Sequence, residues 1–546
     1  MMRRNVAAAL LLFALLSNTF AVAASAQTSR PTPDAVERIK DEGVNRSRLM
    51  ETVGHITDVI GPRLTGSAAL RRANEWARDR LTQYGLANAH LEPWGPFGRG
   101  WTLKRFSAEV VAPQAFPLLA YPRAWSPGLD APLTADVVLV DANNDGELQK
   151  YKGSLRGKIV LAGEVRELKP RFEPTAKRLT EKQLLELADA PDPSLLPPRP
   201  PRPRSPEQIE AAKFNDRKTQ FYYDEGAALL VGSSPAGDGG TLQFVQSAFV
   251  PQPFDTPFDK RVWPWEKNAP KLIPQMALSN DHYNRLARTI RRGERVQMSV
   301  NFRAEFDDSD AMSYNTVAEI PGTDLKDEVV MLGAHLDSWH TATGATDNAA
   351  GVGVMMEAVR ILKAAGLQPR RTVRIALWSG EEQGLLGSRS YVSEHFGGIP
   401  APGAASVPPT KPEHERLNVY FNADSGTGAI RGIFLQGNEA LRPVFSRWLM
   451  PFREFKVGQT TYNATTVTVS NTDGSDFLSF DAAGLNGFDF IQDEMEYETR
   501  TWHSSQDNYD RLVEDDLKEA AVIVAAFAYN AATMDGRLPR KQRPKQ

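Results

Sequence analysis

The chain has 546 residues, of which 41% are hydrophobic and 24% are charged, a composition typical of a soluble globular protein of two or three domains. Its formal net charge of −3 at pH 7 gives no reason to expect a nucleic-acid partner. Cysteine is absent, which excludes disulfides and limits any metal site to histidine and carboxylate ligands.

The first 26 residues have the pattern of a secretory signal peptide. Arg3 and Arg4 form a charged start, residues 6–16 are apolar, and residues 24–26 read Ala-Ser-Ala, which is a cleavage site. The apolar segment is too short to span a membrane, so a membrane anchor is the weaker interpretation. We therefore predict a secreted or periplasmic protein with no membrane anchor after cleavage.

Residues 27–116 are predicted to be the N-terminal part of a larger α/β domain, with helices over 45–60 and 68–84 and strands at 90–94 and 105–112. From Pro117 prolines and glycines become frequent and short β-like runs replace long periodic ones. Residues 117–304 are therefore predicted to form an inserted, mainly-β domain. Within it, residues 197–206 (PPRPPRPRSP) predict an exposed polyproline-type loop; a ligand for a proline-recognition module is the alternative.

Strands and helices alternate over residues 305–535. The predicted strands are 316–319, 329–334, 372–378, 417–422, 432–436 and 487–491, and the predicted helices are 348–365, 385–394, 439–450, 476–483 and 514–534. This alternation predicts an α/β fold with a doubly wound, mainly parallel sheet. Asp347 is expected at the N-cap of the helix over 348–365. Residues 536–546 are predicted to be a disordered basic tail.

Several polar residues follow the ends of the predicted strands. Taken singly, each has an ordinary explanation, such as a structural histidine, a solvated glutamate pair or an aspartate in a turn. Because the carboxyl ends of parallel strands meet at one edge of a sheet, we expect these side chains to lie close together. They are His335, Asp347, Glu381, Glu382, Asp424 and His503.

Two histidines with several carboxylates suit a pair of zinc ions. One carboxylate must bridge, so that two cations can lie about 3.5–4 Å apart. Of the adjacent Glu381 and Glu382, one would bind metal and the other would act as a general base toward water. Asp337 is placed to hold the second ring nitrogen of His335, and Asp507 could hold that of His503.

The order of the motifs resembles that of the M28 family of metallopeptidases, the co-catalytic zinc aminopeptidases and their relatives. The motifs are HLD at 335–337, TDNAAG at 346–351, EEQG at 381–384, NADSG at 422–426, WHSSQD at 502–507 and the opening GPRLTGS at 61–67. The inserted region, with GKIVL at 157–161 and EGAALLV at 225–231, resembles the protease-associated domain that this family often carries. Together with Trp339, the insertion is similar to the branch that includes plasma glutamate carboxypeptidase.

The resemblance implies two zinc ions and a role for each candidate. His335 and Asp424 would bind one ion and Glu382 and His503 the other, while Asp347 would bridge them. Glu381 would be the general base. The implied fold is a zinc-exopeptidase α/β domain, and the implied function is that of an exported exopeptidase that hydrolyses the amino-terminal bond of peptides or dipeptides. The resemblance also implies that the protein could form a homodimer.

Two positions differ from the family pattern or lie outside it: Phe477 and His340. The family tends to show a Ser-Asp-His element where this chain has Ser475, Asp476 and Phe477, so a substrate role for that histidine is lost or moved. His340 lies in the metal loop and is a candidate substrate contact.

Two other functions remain alternatives. A non-catalytic receptor or binding protein on the same fold would be favoured by lost metal ligands, and none is missing. A glutaminyl cyclase with a single zinc ion is opposed by the complete two-metal set and by the inserted domain. The sequence leaves open the side-chain preference and the choice between aminopeptidase and dipeptidase action.

Overall fold

The computed structural model describes residues 33–197, 203–399 and 406–541. The predicted signal peptide at 1–26, the middle of the proline-rich segment at 198–202 and the end of the basic tail at 542–546 lie outside the described residues. Within the described ranges, none of the helices is both long enough and apolar enough to cross a membrane.

The helices of the described residues are numbered in chain order. They are α1 (Pro33–Asn45), α2 (Leu49–Gly54), α3 (Ala68–Gln83), α4 (Asp145–Leu148), α5 (Glu181–Ala188), α6 (Pro206–Asp224), α7 (Asn280–Arg291), α8 (Ala350–Ala364), α9 (Leu386–His395), α10 (Arg442–Leu449), α11 (Phe477–Ala482) and α12 (Glu514–Thr533).

The strands are numbered in the same way. They are β1 (Ala87–Trp94), β2 (Gly100–Ala112), β3 (Phe116–Pro117), β4 (Ala120–Pro122), β5 (Leu133–Leu139), β6 (Ile159–Leu161), β7 (Leu229–Ser233), β8 (Gln275–Leu278), β9 (Gln297–Asp307), β10 (Ser313–Ile320), β11 (Leu325–His335), β12 (Arg371–Trp378), β13 (Leu417–Asn422), β14 (Ile430–Phe434), β15 (Phe455–Val457), β16 (Thr460–Tyr462), β17 (Thr466–Thr468) and β18 (Gly487–Gln492).

The main sheet has eight strands in the order β1-β10-β12-β11-β13-β18-β14-β17. Four of its pairings are parallel and three are antiparallel. The parallel strands β12, β11, β13 and β18 form the centre, and the antiparallel pairings lie on either side of them. The predicted α/β fold is confirmed, and the sheet is mixed.

Helices cover both faces of the main sheet, as parallel strands require. On one face, α8 is buried from Ala350 to Leu362, and it packs beside α12, α1 and α2 in the largest apolar cluster. On the other face, Tyr391 of α9 and Phe480 of α11 pack against Trp378 and Tyr420. The centre of the sheet is thereby shielded from water, and its strand ends are fixed by packing on two sides.

A second eight-stranded sheet is formed by residues 100–307, between the neighbouring antiparallel strands β1 and β10 of the main sheet. Its order is β3-β2-β9-β5-β6-β7-β8-β4, with β5 to β8 parallel along the chain. The sheet begins before the predicted boundary at Pro117, because β2 pairs with β9 from Gly100 to Ala112. We call residues 100–307 the inserted region.

Two local expectations need correction. α6 was not predicted, because among its residues only Tyr222 is buried and no apolar stripe marks it; it begins instead with a capping box of Ser205 and Gln208. The predicted disordered tail is ordered as far as the described residues extend. Leu538 is buried, and its backbone N–H donates to Asn418 Oδ1 at 2.9 Å.

Candidate metal centre

Four neighbouring strands bring the candidate residues to one edge of the main sheet. β11 ends at His335 and lies between β12 and β13. Glu381 follows β12 after a short turn, and Asp424 follows β13 directly. His503 lies in the loop after β18, which is the next parallel strand beside β13. The carboxyl ends of these strands therefore face one crevice.

The two histidines lie on opposite sides of Asp347. His335 Nε2 is 3.1 Å from Asp424 Oδ1 and 3.3 Å from Asp347 Oδ1. His503 Nε2 is 3.2 Å from Asp347 Oδ2 and 2.9 Å from Glu382 Oε2. Each oxygen of Asp347 thus faces a different histidine, and each histidine has a further carboxylate beside it. This is the arrangement that a bridging carboxylate between two cations needs.

Glu381 lies beside the first of these groups. Ligand atoms of His335, Glu381 and Asp424 lie within 4.8 Å of one another, and so do those of His335, Asp347 and Glu382. Burial raises the pKa of Glu381 well above its ordinary value, although the neighbouring His335 opposes the rise. Glu381 is therefore close enough to the cluster to exchange a proton with a molecule bound there.

The protonation of the cluster shows a surplus of buried negative charge. Burial acts to lower the pKa of His503, but Glu382 and Asp347 raise it to about 10. Burial also raises the pKa of Glu382 to about 7. Asp347 Oδ2 and Glu382 Oε1 are buried without a hydrogen-bond partner among the described residues. Buried carboxylates of this kind require cations, so the donor set fits divalent metal ions.

Asp337 supports the site in a different way from the predicted one. The group nearest to His335 Nδ1 is the backbone carbonyl of Asp337 at 3.0 Å, and the Asp337 carboxylate lies farther away at 3.7 Å. That carboxylate accepts hydrogen bonds from the backbone N–H groups of Glu381 at 3.3 Å and Glu382 at 3.4 Å, and from Thr65 Oγ1 at 2.8 Å. Asp337 therefore positions the histidine and both glutamates together.

The predicted contact between Asp507 and His503 is wrong. Asp507 accepts hydrogen bonds from the backbone N–H of Thr346 at 2.6 Å and of Asp347 at 3.1 Å, so it fixes the position of Asp347. Its burial, with Asp347 nearby, raises its pKa to about 7. The group beside His503 Nδ1 is Gln246 Nε2 at 3.1 Å.

Gln246 belongs to the inserted region and was missed by the sequence analysis. It reaches the site because residues 242–246 run alongside the loop that carries His503. Phe244 N donates to His503 O at 2.8 Å, and Ser505 N donates to Leu242 O at 2.8 Å. Nothing in the sequence near Gln246 indicates this pairing, since the two segments are about 260 positions apart.

Asp347 is not the N-cap that was expected. Its backbone is non-helical, with φ −128° and ψ 84°, and the peptide bond to Asn348 is cis. Asn348 takes the capping role, since its Oδ1 accepts from Gly351 N at 3.0 Å, while its Nδ2 donates to Ala423 O at 2.9 Å. The Asp347 carboxylate is thereby left free to face the two histidines.

Arg63 is a second residue that the sequence analysis passed over, although it lies in the GPRLTGS motif. Its side chain is fully buried. It donates to Leu336 O at 2.7 Å, Thr343 O at 2.7 Å and Gly344 O at 2.9 Å. Burial lowers its pKa to about 10, so it remains charged at neutral pH. Arg63 thus holds both ends of the loop between β11 and Asp347.

The candidate substrate contact His340 does not line the cleft. It is buried, and its Nε2 lies 2.7 Å from Pro122 O, with the ring packed against Trp101 and Tyr121. It joins the loop between β11 and Asp347 to the inserted region. Asp476 is also fully buried, and burial raises its pKa to about 7.

A cleft of about 800 Å³ opens onto the cluster. Asp347, Glu381, Glu382, Asp424 and His503 form its floor. Seven carboxylates line it in all, and no lysine or arginine is among the described residues that do so. The remaining walls are largely apolar and aromatic. They include Leu179, Leu187, Phe434, Leu478, Phe490, Ile491, Tyr497 and Trp502.

Comparison with known proteins finds a family match for part of the chain and relatives that are similar over most of its length. Residues 315–528 match the model of Peptidase family M28. Carboxypeptidase Q of Mus musculus is 28% identical over 501 residues, which cover 91% of this chain and 88% of that protein. Carboxypeptidase Q of Homo sapiens is 25% identical over the same shares of the two chains.

Two solved structures share the fold. A peptidase M28 precursor from Shewanella amazonensis has a TM-score of 0.61 at 22% identity, covering 94% of this chain and 99% of the other. A zinc aminopeptidase from Bacillus subtilis has a TM-score of 0.50 at 18% identity, covering 92% and 97%. With its candidate metal ligands inside the matched residues, the chain carries a Peptidase family M28 match over residues 315–528 and is a metallopeptidase.

Proposed function

We propose that the protein is a di-zinc exopeptidase that hydrolyses the peptide bond next to a free amino terminus. The observation that carries the proposal is the position of Asp347, whose two oxygens face two different histidines at 3.3 and 3.2 Å. A single metal ion would need only one of these groups. The complete pair of histidine and carboxylate sets argues against a single-zinc cyclase and against a non-catalytic receptor.

Each zinc ion would have its own ligands, with one shared. His335 and Asp424 would hold one ion, Glu382 and His503 the other, and Asp347 would bridge. The separations of His335 Nε2 from Asp424 Oδ1 (3.1 Å) and of His503 Nε2 from Glu382 Oε2 (2.9 Å) support this division. The Bacillus subtilis protein of the same fold is a zinc aminopeptidase. When bound, two zinc ions supply hydroxide near neutral pH and withdraw electron density from the scissile carbonyl.

Glu381 is proposed as the general base. Its carboxylate would accept the proton of the attacking water and pass it to the nitrogen of the leaving amine. Its backbone N–H is held by the Asp337 carboxylate at 3.3 Å, so the side chain starts from a fixed position beside His335 and Asp424. Asp507 contributes by holding Asp347, as the hydrogen bond at 3.1 Å indicates.

The charge of the cleft favours a substrate with a free amino group. Seven carboxylates line the cleft, and no lysine or arginine does so among the described residues. Three of them, Asp473, Glu494 and Glu498, lie outside the proposed zinc ligands and general base, so the cleft would stay negative with two zinc ions bound. An ammonium group is attracted to such a surface, and a carboxylate is repelled by it. The name carboxypeptidase Q belongs to the relatives, and the charge of this cleft supports attack at the amino end instead.

Two further parts of the proposal concern the rest of the chain. The pattern of residues 1–26 supports export to the periplasm or the medium. The position of the inserted region between β1 and β10, and its own eight-stranded sheet, support a protease-associated domain.

The test combines metal analysis with three substrates. We expect about two zinc ions per chain, hydrolysis of leucine p-nitroanilide, and no hydrolysis of its N-acetylated form or of an amino-blocked dipeptide with a free carboxylate. Two bound zinc ions without turnover of any amino-terminal substrate would overturn the proposal. Turnover of the blocked substrates would overturn the assignment to the amino end.

A variant tests the bridge itself. Asp347→Ala is expected to lose both zinc and activity, because it removes the side chain whose two oxygens lie 3.3 and 3.2 Å from the two histidines. Asp473→Ala, which changes a carboxylate elsewhere in the same cleft, is the matched control and should keep its zinc. An active Asp347→Ala enzyme would refute the bridging role.

A further inference from the structure

One segment of the inserted region crosses to the loop beside the metal cluster. We call residues 175–188 the strap. Lys177 and Met495 exchange backbone hydrogen bonds at 2.9 and 2.8 Å, which makes a short antiparallel bridge. Thr499 Oγ1 donates to Thr175 O at 2.6 Å, and Thr175 Oγ1 donates to Glu496 Oε1 at 3.1 Å. The strap is therefore attached at its beginning to the loop that leads from β18 to His503.

Arg178 fastens the strap to two buried carboxylates. Its guanidinium donates to Asp493 Oδ2 at 2.8 Å and to both oxygens of Asp516, at 2.8 and 3.0 Å. The side chains of Asp493 and Asp516 are 1% and 0% exposed. The next backbone N–H, that of Leu179, donates to Asp493 Oδ1 at 2.8 Å. Leu179 is thus fixed by its own backbone and by its neighbour's side chain.

The rest of the strap turns at once into α5. Thr180 and Gln183 form a capping box, which fixes where the helix begins. Leu184 is buried beneath the helix, and Leu185 is 62% exposed on its outer side. Leu187 lines the cleft, one helical turn after Leu184. The helix therefore presents Leu187 to the cleft and Leu185 to water.

Leu179 and Leu187 face an apolar compartment of the same cleft that contains the metal cluster. Further apolar residues that line the cleft come from the main-sheet side, among them Phe434, Leu478, Phe490 and Ile491. Apolar side chains on both sides of one cleft make a compartment for an apolar group. Asp473, Glu494 and Glu498, which line the cleft outside the proposed metal site, repel an acidic group that would enter it.

We propose that the strap is the specificity wall of the enzyme and selects an apolar side chain on the amino-terminal residue of the substrate. The proposal rests on the function proposed above and adds the side-chain preference to it. Leu179 and Leu187 contact that side chain, and Arg178 holds them in place. The expected order of kcat/KM is leucine and phenylalanine first, alanine next, and glutamate last. Leucine should exceed alanine about 10–100-fold.

The test compares aminoacyl p-nitroanilides of leucine, phenylalanine, alanine and glutamate on the wild type and three variants. Leu179→Ala and Leu187→Ala should each lower the leucine-to-alanine ratio about 3–10-fold, mainly through KM. Their zinc content should equal that of the wild type. Leu185→Ala is the matched control, because it truncates an exposed leucine of the same helix.

If truncation unfolds α5, a fourth variant still tests the proposal. Leu187→Phe adds volume to the same wall and should lower the phenylalanine-to-leucine ratio while the alanine substrate is still hydrolysed. An unchanged leucine-to-alanine ratio in Leu179→Ala and Leu187→Ala, or a wild type that prefers alanine or glutamate, would overturn the specificity proposal. Absence of turnover on all four substrates would instead overturn the proposed function, so the two failures can be told apart.

Discussion

The two sides of the cleft are held by different kinds of interaction. On the main-sheet side, His335 and Asp424 follow parallel strands with helices packed on both faces, and the supporting groups Asp337 and Arg63 are fully buried. On the inserted side, Gln246 and the strap reach the cleft through a few backbone hydrogen bonds and one ion-pair cluster.

This difference matches two separate roles, the binding of metal on the sheet side and the selection of substrate on the inserted side. Groups on buried parallel strands cannot shift without disturbing the core, so the sheet side is suited to fixing metal ligands. A segment held by one arginine and a short bridge can vary in sequence without disturbing the ligands, so it is suited to selecting substrates. We expect substitutions on the sheet side to abolish turnover and substitutions on the inserted side to reduce it only partly.

The largest effect is expected for Glu381→Ala on the sheet side. Removing the general base should lower kcat by about 10²–10⁴-fold and leave the zinc content unchanged, because the metal ligands remain. Steady-state kinetics and metal analysis of the same preparation check both parts. The control is Glu382→Ala, which should lose zinc. Loss of zinc from Glu381→Ala as well would make Glu381 a ligand, in keeping with its place beside His335 and Asp424.

A smaller effect is expected for Gln246→Leu on the inserted side. Loss of the contact with His503 Nδ1 should weaken one zinc site about 10–100-fold, as for other groups that orient a metal-binding histidine. Competition with a chelator, followed by metal analysis, should show one zinc ion leaving before the other. Gln246→Glu places a carboxylate that can accept from the Nδ1–H that His503 carries when its Nε2 binds metal, so this variant should bind zinc at least as tightly as the wild type. Equal loss of both ions would show that the inserted side supports the whole cluster.

Arg178→Met should loosen the strap without removing zinc. Breaking a fully buried ion pair costs about 3–5 kcal/mol, and partial exposure of Arg178, 42% of its side chain, reduces the expected local cost to about 1–3 kcal/mol. Limited proteolysis should cut the variant faster between residues 165 and 195 than the wild type. The matched control is Lys182→Met, whose ion pair with Glu186 is exposed. Equal cutting rates would show that the backbone bridge alone holds the strap.

The smallest effect concerns His340, where the two sides meet. Burial lowers its pKa to about 4, below the ordinary value of 6.5, so the fold keeps it neutral while the unfolded chain takes up a proton. Its contribution to stability is complete above pH 6.5 and is lost as the pH falls toward 4, by about 1.4 kcal/mol per pH unit. Between pH 7 and 5, the Tm of His340→Gln should fall a few degrees less than that of the wild type. Parallel falls would contradict this assignment.

The sheet side was predictable from the sequence, and the inserted side was not. Strand ends placed His335, Glu381 and Asp424 together because the periodic pattern of buried parallel strands is strong. Gln246 could not be found in this way, since its contact with His503 joins segments that pair over a long separation and carry no pattern of their own.

The second kind of wrong prediction at the site concerned the groups with which individual side chains form hydrogen bonds. Asp507 lies close in sequence to His503, yet it bonds to the backbone of Thr346 and Asp347. Asp347 was expected to cap α8, and Asn348 does so instead. Residue type and spacing indicate that a carboxylate belongs to a site, whereas its partner depends on backbone angles that spacing does not contain.

The buried Arg63 has a consequence for when the enzyme becomes active. It joins a loop near the start of the chain to Leu336, 273 positions later, and Asp507 closes the same loop from the other side. The family match at 315–528 holds every candidate metal ligand but lacks Arg63, Gln246 and the strap. The candidate ligands and the groups that position them are therefore complete only once synthesis has passed residue 507.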